Sequence, residues 1–481
     1  MKKDNNKTEN TKKNNNNKKA SLTREIVLDL LLEADSADRG KKAVRTDRLI
    51  RDVLDKYDYL DTRDKAFIRR LANDCIEKRM MLDHVIDNFS KVKTSKMKPA
   101  IRCIMRMGCD QILFMESVPS SAACNEAVLL AGKKGFHGLK GFVNGVLRTI
   151  DRNREDIKWP DKEKSPVEFL AVRYSVPEWI AGLFLKSFGS ERAERILASY
   201  LMERPVSVRY LTTEGNREAE EKWLSEVKAA GISVATNPYY IHAYDLTGVD
   251  GVAKIPGYEE GMFAVQDISS MLAVLCAGIS EGDMVVDVCA APGGKSCFAA
   301  EIAHKGKVLS FDLSDAKVDL IKENAKRLKL GNLKAEVHDA LEYDSSLEGI
   351  ADVVICDLPC SGLGVIGRKP DIKFRVKPED ITALAELQRR ILTNAARYVR
   401  SGGRLIFSTC TVSEEENDQN RKWILDNKEL LHLKKAPLGK GLPESLNDMA
   451  GDGKSYVRFL TGEPDGAPLM DGFFVAAFEK E

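Results

Sequence analysis

Two cysteines stand where short apolar runs give way to loops: Cys360 in ADVVICDLPCSG and Cys410 in RLIFSTCT. A third such point, MVVDVCAAPGGKS, carries the chain from Asp287 to Gly293 and Gly294. Each apolar run reads as a short buried strand rich in β-branched residues. If those strands are parallel, their carboxyl ends share one edge, where open α/β sheets bind ligands. A lone cysteine is more often a small buried apolar residue than a reagent. Two at strand ends, one after Asp-Leu-Pro and one between threonines, point instead to thiol chemistry.

The glycine-rich turn lets the backbone approach a ligand and aims helix N–H groups at it. A P-loop would need GxxxxGK[ST]; GKS is present at 294 to 296, but the first glycine is replaced by Cys289. The dinucleotide pattern GxGxxG is absent as well. The next strand, KVLSFDLS, ends in Asp312, eighteen residues beyond Gly294, where an acid accepts bonds from both ribose hydroxyls of an adenosine. Asp339 in VHDA ends a third strand, within reach of an adenine amine. The expected ligand is an adenosine compound without a polyphosphate, and S-adenosylmethionine fits better than ATP or NAD.

A thiol beside a methyl donor has a specific use. Carbon 5 of a pyrimidine is a poor nucleophile. A thiolate added at carbon 6 moves electron density to carbon 5, which then attacks the sulfonium methyl group. Loss of the carbon-5 proton afterwards expels the thiol. Free cysteine titrates near ~8.5, so the nucleophile needs help to ionise. The Thr409 or Thr411 hydroxyl, or the Lys295 ammonium, is available by position to give it. Asp357 is placed to hydrogen-bond the cytosine edge.

These strand ends require a sheet, and from about 261 to 481 strands and helices alternate in a doubly wound α/β pattern. SYVRFL and GFFVAAFEK read as a strand pair closing its edge. Residues 22–153 instead show helical spacing throughout with short connections, the pattern of a compact bundle. The charged stretch DRNREDIKWPDKEKSP, 151 to 166, reads as a linker. Residues 165–260 mix helical runs with the strands RPVSVRYL and YIHAYDL, and are expected to form a small α+β module. Residues 1–20 are Asn/Lys low complexity, a solvated tail or a basic arm for RNA phosphates. GRKPDIKFRVK, 367 to 377, is expected to face the substrate with its basic residues and Phe374.

Taken in order, DVCAAPGGKS, DLPCSG and STCT resemble the signature motifs of the NOL1/NOP2/Sun RNA (cytosine-5) methyltransferases. NEAVLLA and GFVNGVLR resemble the NusB-type RNA-binding bundle. The combination is similar to bacterial small-subunit rRNA methyltransferases of the Sun/Fmu type. The resemblance implies a NusB-like all-α bundle, a small α+β module and a Rossmann-like class I methyltransferase domain. It implies S-adenosylmethionine as cofactor and, as target, one cytosine of 16S rRNA in the loop of helix 31. It assigns the nucleophile to Cys410 and product release to Cys360. The cofactor residues it carries over are Cys289, Ala290, Ala291, Pro292, Gly293, Gly294, Lys295, Asp312, Asp339 and Asp357. Residue types alone leave Cys360 as a rival nucleophile, because a Pro-Cys pair attacks in DNA cytosine methyltransferases.

Bulk properties narrow the field. The formal charge is +1 and the ten cysteines include no CxxC, which argues against a disulfide framework or a zinc site. No apolar run approaches the ~18 to 20 residues that cross a bilayer, and no signal-peptide pattern opens the chain, so a cytoplasmic monomer without metal is expected. Two other functions compete: a carbon-5 methyltransferase of tRNA or another rRNA cytosine, and a non-catalytic RNA-binding protein of antitermination type. The intact CAAPGGK turn and both cysteines argue against the second.

Overall fold

The structure is a computed structural model, described over residues 22–36, 46–212, 217–439, 441–463 and 466–481. The Asn/Lys tail, residues 1–20, lies outside the described residues. The chain divides into two compact units, Met1–Leu201 with Lys369–Arg375, and Met202–Arg368 with Val376–Glu481.

In the first unit helix α1 covers 22–36. It is followed by α2 (Thr46–Lys56), α3 (Thr62–Glu77), α4 (Arg79–Phe89), α5 (Pro99–Phe114), α6 (Ser120–Lys133) and α7 (Lys140–Arg152). Helix α5 is their centre, buried on most of its surface from Ile101 to Ile112. Pro99 opens it, where a missing N–H costs nothing. Helices α8 (Pro166–Arg173) and α9 (Glu178–Tyr200) belong to the same unit. Gly189, at φ 74°, breaks α9 into the two helical runs read from the sequence. Ser175, between α8 and α9, accepts the first-turn N–H of Met80 at 3.0 Å, a donor that α4 cannot satisfy internally. The expected module over 165–260 is thus divided: α8 and α9 group with the bundle, and its strands with the second unit.

The second unit opens with a four-stranded antiparallel sheet of order β2-β3-β1-β4. Its strands are β1 (Val206–Tyr210), β2 (Ser233–Thr236), β3 (Ala243–Thr247) and β4 (Phe263–Val265), covered by α10 (Arg217–Ala229). Trp223 of α10 is fully buried against this sheet. Arg209 of β1 ion-pairs with Glu301 and donates to Gln266 at 3.2 Å.

The larger sheet follows α11 (Ile268–Leu275) and has the order β11-β12-β13-β9-β8-β5-β6-β7, with β10 also on β13. Its parallel part is β5 (Met284–Asp287), β6 (Lys307–Asp312), β7 (Leu333–Val337), β8 (Ala351–Asp357) and β9 (Val399–Thr409). Helices α12 (Gly294–Ile302) and α13 (Asp315–Arg327) connect β5, β6 and β7. α14 is the turn Ile372–Arg375 of the first unit, and α15 (Pro378–Tyr398) leads to β9. Helices α16 (Asp418–Asp426) and α17 (Lys428–Leu431) precede β10 (Leu433–Lys435), β11 (Ala450–Gly451), β12 (Tyr456–Phe459) and β13 (Phe473–Lys480). β13 pairs antiparallel with β9, so the sheet is mixed and the two C-terminal strands close one side as read from the sequence. Strand order reverses between β5 and β8, which opens a crevice at their carboxyl ends. Asp287 and Asp357 end those two strands.

Candidate active site

The turn after β5 is built around Gly293, whose φ of 100° starts α12. A Cβ there would meet the Ile321 backbone at 3.2 Å, so only glycine lets turn and helix α13 approach this closely. Asp312 holds the turn from the end of β6. Its Oδ2 accepts the Ala291 N–H at 2.9 Å, and its Oδ1 accepts the Leu313 N–H at 2.7 Å and Lys317 at 2.8 Å. Asp339 sits past β7 in a turn where it accepts the Leu341 N–H at 2.9 Å. Asp287 is buried and takes the Ser296 hydroxyl at 2.6 Å; burial pushes its carboxyl up to about 7. Cys289 and Ala290 continue the turn, and burial pushes the Cys289 thiol up as well.

Lys295, in the first turn of α12, donates to Asp357 Oδ2 at 2.7 Å. The Ser408 hydroxyl donates to Asp357 Oδ1 at 2.8 Å, as the β8–β9 register Asp357↔Ser408 requires. From that pair the two strands run out together. Three residues on stands Cys360 and two residues on stands Cys410, with their sulfurs 3.3 Å apart. Both are partly exposed. The hydrogen bond to Cys410, with burial, holds the Cys360 thiol well above its ordinary range. Either sulfur can be the donor of that contact.

The groups expected to help Cys410 ionise are committed elsewhere. The Thr409 hydroxyl donates to Asn417 at 2.5 Å, Thr411 pairs with Ser361 at 2.7 Å, and Lys295 pairs with Asp357. Gly364 fixes the loop beyond Cys360 by donating to the Cys410 carbonyl at 3.1 Å and accepting from Gly472 at 2.9 Å. The run SEEEN that follows Cys410 forms a turn, and α16 begins only at Asp418. No sequence signal marked Gln388 on α15, which is fully buried and donates to Glu416 and to the Pro359 carbonyl.

The segment 367 to 377 does not behave as one substrate-facing stretch. Arg368 is tied to Asp267 at 2.7 Å and to Asp471 at 3.1 Å. Lys373 is buried, and the Phe374 ring lies 3.4 Å beneath the Arg79 guanidinium. Lys369 and Lys377 remain exposed. Alternation of basic and apolar residues could not reveal which of them would be occupied by ion pairs.

Known proteins carry the same layout. A family model described as 16S rRNA methyltransferase RsmB/F matches residues 274–479, and a NusB family model matches residues 21–152. The chain is 33% identical over 471 residues to "Probable ribosomal RNA small subunit methyltransferase B" of Bacillus subtilis, covering 96% of this chain and 100% of that one. The chain belongs to this methyltransferase family. A relative from Enterobacter sp., named ribosomal RNA small subunit methyltransferase B, is 31% identical and is covered to 91%. The solved structure titled "Crystal Structure of PH0851" superposes with a TM-score of 0.73 at 25% identity, over 95% of this chain and 98% of that one. NSun6 from Pyrococcus horikoshii with SFG shares the fold, with a TM-score of 0.54 at 22% identity, over 63% of this chain and 98% of that one.

As a family member the chain is a methyltransferase of small-subunit ribosomal RNA, with a NusB-type bundle ahead of a Rossmann-like domain. Its cofactor is S-adenosylmethionine. The chain fits that group: the tight turn at Gly293 adopts a positive φ, Asp312 ends β6 and Asp339 lies two residues past β7. Among the described residues no helix is long and apolar enough to cross a membrane, and no cluster of three or more His, Cys, Asp or Glu is placed to hold a metal ion.

Proposed function

We propose that the chain methylates carbon 5 of one cytosine in 16S rRNA, in the loop of helix 31, through a covalent bond from Cys410 to carbon 6. The observation that carries this reading is the pair of sulfurs 3.3 Å apart at the ends of β8 and β9, beside the cofactor turn. A methyltransferase acting on nitrogen or oxygen needs no thiol, whereas one acting on carbon 5 needs a nucleophile at carbon 6. S-adenosylmethionine would supply an electrophilic methyl group that takes up the pair gathered on carbon 5, its sulfur keeping the S–CH3 pair as a neutral thioether. The turn from Cys289 through Ala290, Ala291, Pro292, Gly293 and Gly294 holds it, with Asp312 toward the ribose and Asp339 toward the adenine. Asp312 has one acceptor position left on Oδ2, and Lys317 on its Oδ1 is half-exposed.

Cys410 attacks as thiolate, forming the C6–S bond as the C5=C6 pair moves onto carbon 5. Lys295 and Ser408 orient Asp357, which contacts the cytosine edge and steadies the ring during attack. In the release step the carbon-5 proton passes to a base and the C5–H pair restores the C5=C6 bond. The C6–S pair returns to the Cys410 sulfur, where the Cys360 thiol donates to the emerging thiolate. The helical bundle, 22–153, binds RNA, and the enzyme works as a monomer without a metal in the cytoplasm. Mapping of 5-methylcytosine in 16S rRNA from a strain lacking the gene tests the reading: one cytosine in the helix-31 loop loses its methyl group and regains it on complementation. Methylation persisting there would overturn the assignment.

A further inference from the structure

Glu416 is the last of three consecutive glutamates, and unlike the exposed Glu414 it is sealed from solvent at 0% exposure. Its carboxylate accepts the Ser361 N–H at 2.9 Å, the Ser361 hydroxyl at 2.5 Å and the Gln388 amide at 3.1 Å. Ser361 follows Cys360. The Gln388 amide also donates to the carbonyl of Pro359, which precedes Cys360, at 2.8 Å. Asn420 in turn donates to the Gln388 oxygen at 2.7 Å. Both chain neighbours of Cys360 are thus gripped by two buried side chains that are bonded to each other.

The same network reaches the other cysteine. The Ser361 proton is directed to Glu416, so the Thr411 hydroxyl donates to Ser361 Oγ at 2.7 Å. Thr411 follows Cys410. Burial pushes the Glu416 carboxyl up, against the bonds from Ser361 and Gln388 that favour its charge. Apolar side chains would fill the same space without that penalty, so the network answers a need other than packing.

We propose that Glu416 is a positioning residue that holds Cys360 against Cys410 through Ser361, and that it serves release of the methylated base rather than attack. The inference rests on the covalent reading above. Cys410 directly follows Thr409, which the sheet fixes by pairing with Phe474 of β13. Cys410 is thus anchored by the sheet on one side, and Glu416 reaches it only indirectly, through Ser361 and the Thr411 hydroxyl. Cys360 lies three residues past the end of β8, beyond the sheet, and is placed by its neighbours' side-chain bonds. Release needs the Cys360 S–H on the departing sulfur as the C6–S pair returns to Cys410. A shift of about 1 Å costs on the order of 100-fold in such a step.

The test compares full-length wild type, Glu416→Ala, Glu416→Gln, Cys360→Ala and Cys410→Ala on the 16S rRNA substrate with S-adenosylmethionine. Protein–RNA adducts are scored under denaturing conditions, alongside kcat, KM and cofactor affinity. Glu416→Ala is expected to bind cofactor normally, to accumulate adduct as Cys360→Ala does, and to lose roughly 100-fold in kcat with KM little changed. Glu416→Gln keeps an acceptor for the Ser361 N–H and falls between it and wild type. Wild-type turnover without adduct in Glu416→Ala overturns the inference, and so does loss of adduct together with turnover in a variant that still binds cofactor. If Glu416→Ala fails to bind cofactor, Glu416→Gln decides: unchanged kcat without adduct overturns the proposal. If Cys410→Ala still methylates, the covalent reading itself fails and the inference falls with it. If both cysteine variants behave as proposed and the Glu416 variants do not, only the role of Glu416 is wrong.

Discussion

The Cys360 and Cys410 sulfurs lie 3.3 Å apart because Asp357 and Ser408 are register partners on adjacent parallel strands. Two loops leaving that pair in the same direction bring their cysteines together. The proposed mechanism gives the two thiols unequal roles.

The first prediction separates those roles. Cys410→Ala is expected to abolish both methylation and any covalent RNA adduct, since no other thiol is placed to attack. Cys360→Ala is expected to form the adduct and stall, so a denaturation-resistant complex accumulates. Radiolabelled RNA on a denaturing gel measures both. An adduct that persists in Cys410→Ala and vanishes in Cys360→Ala would reverse the assignment.

Asp312→Ala is expected to weaken S-adenosylmethionine binding with little effect on RNA affinity. The change removes an acceptor for the ribose and also frees the Ala291 N–H that shapes the turn. Losing one or two bonds to a charged group costs roughly 1.5 to 3 kcal/mol, a rise in Kd of roughly ten- to hundredfold. Calorimetric titration of the folded variant measures it, and an unchanged Kd would remove Asp312 from the site.

Gly364→Ala is expected to damage both stability and activity. The added Cβ would fall 1.9 Å from the Gly472 carbonyl oxygen and 2.9 Å from that of Cys410. Backbone cannot yield there as a flexible side chain would, so overpacking of about 1 to 3 kcal/mol follows. The strain lands on the loop that carries Cys360. Urea denaturation and a methylation assay read the two effects, and a variant equal to wild type in both would show that the loop relaxes freely.

Asp287 should make the cofactor-free protein lose stability as pH rises from ~4 to ~7. Its folded carboxyl titrates at about 7, chiefly through burial, against ~3.9 in an unfolded chain. Within that window the folded state keeps a proton that the unfolded state has released. The stabilising difference is fully present below the unfolded value and is lost as pH passes the folded one, up to ~4 kcal/mol. Asp287→Asn cannot titrate and still accepts the Ser296 hydroxyl. Its denaturation midpoint should change less than that of wild type between pH 4.5 and 7.5, both values being about the ends of the window. Parallel curves for the two proteins would show that Asp287 holds no such proton.

Sequence alone determined the parts of this protein whose signals are local. Period and turn residues marked the bundle, the alternating strands and the glycine-rich turn. The residues at strand ends followed from where each apolar run stopped: Asp287, Asp312, Asp357, Cys360 and Cys410. What sequence left open depended on hydrogen bonds between segments far apart in the chain. Thr409, Thr411 and Lys295 stood near Cys410 by motif, yet each is spent on another partner. In Ser-Glu-Glu-Glu-Asn the three adjacent glutamates are chemically alike, and nothing in the run marks which of them is buried. Only the packing of α15 and the Cys360 loop decides that Glu416 is buried and takes three donors. A side chain's type is written in the sequence, but its partners are fixed by which distant groups the fold brings within about 3 Å.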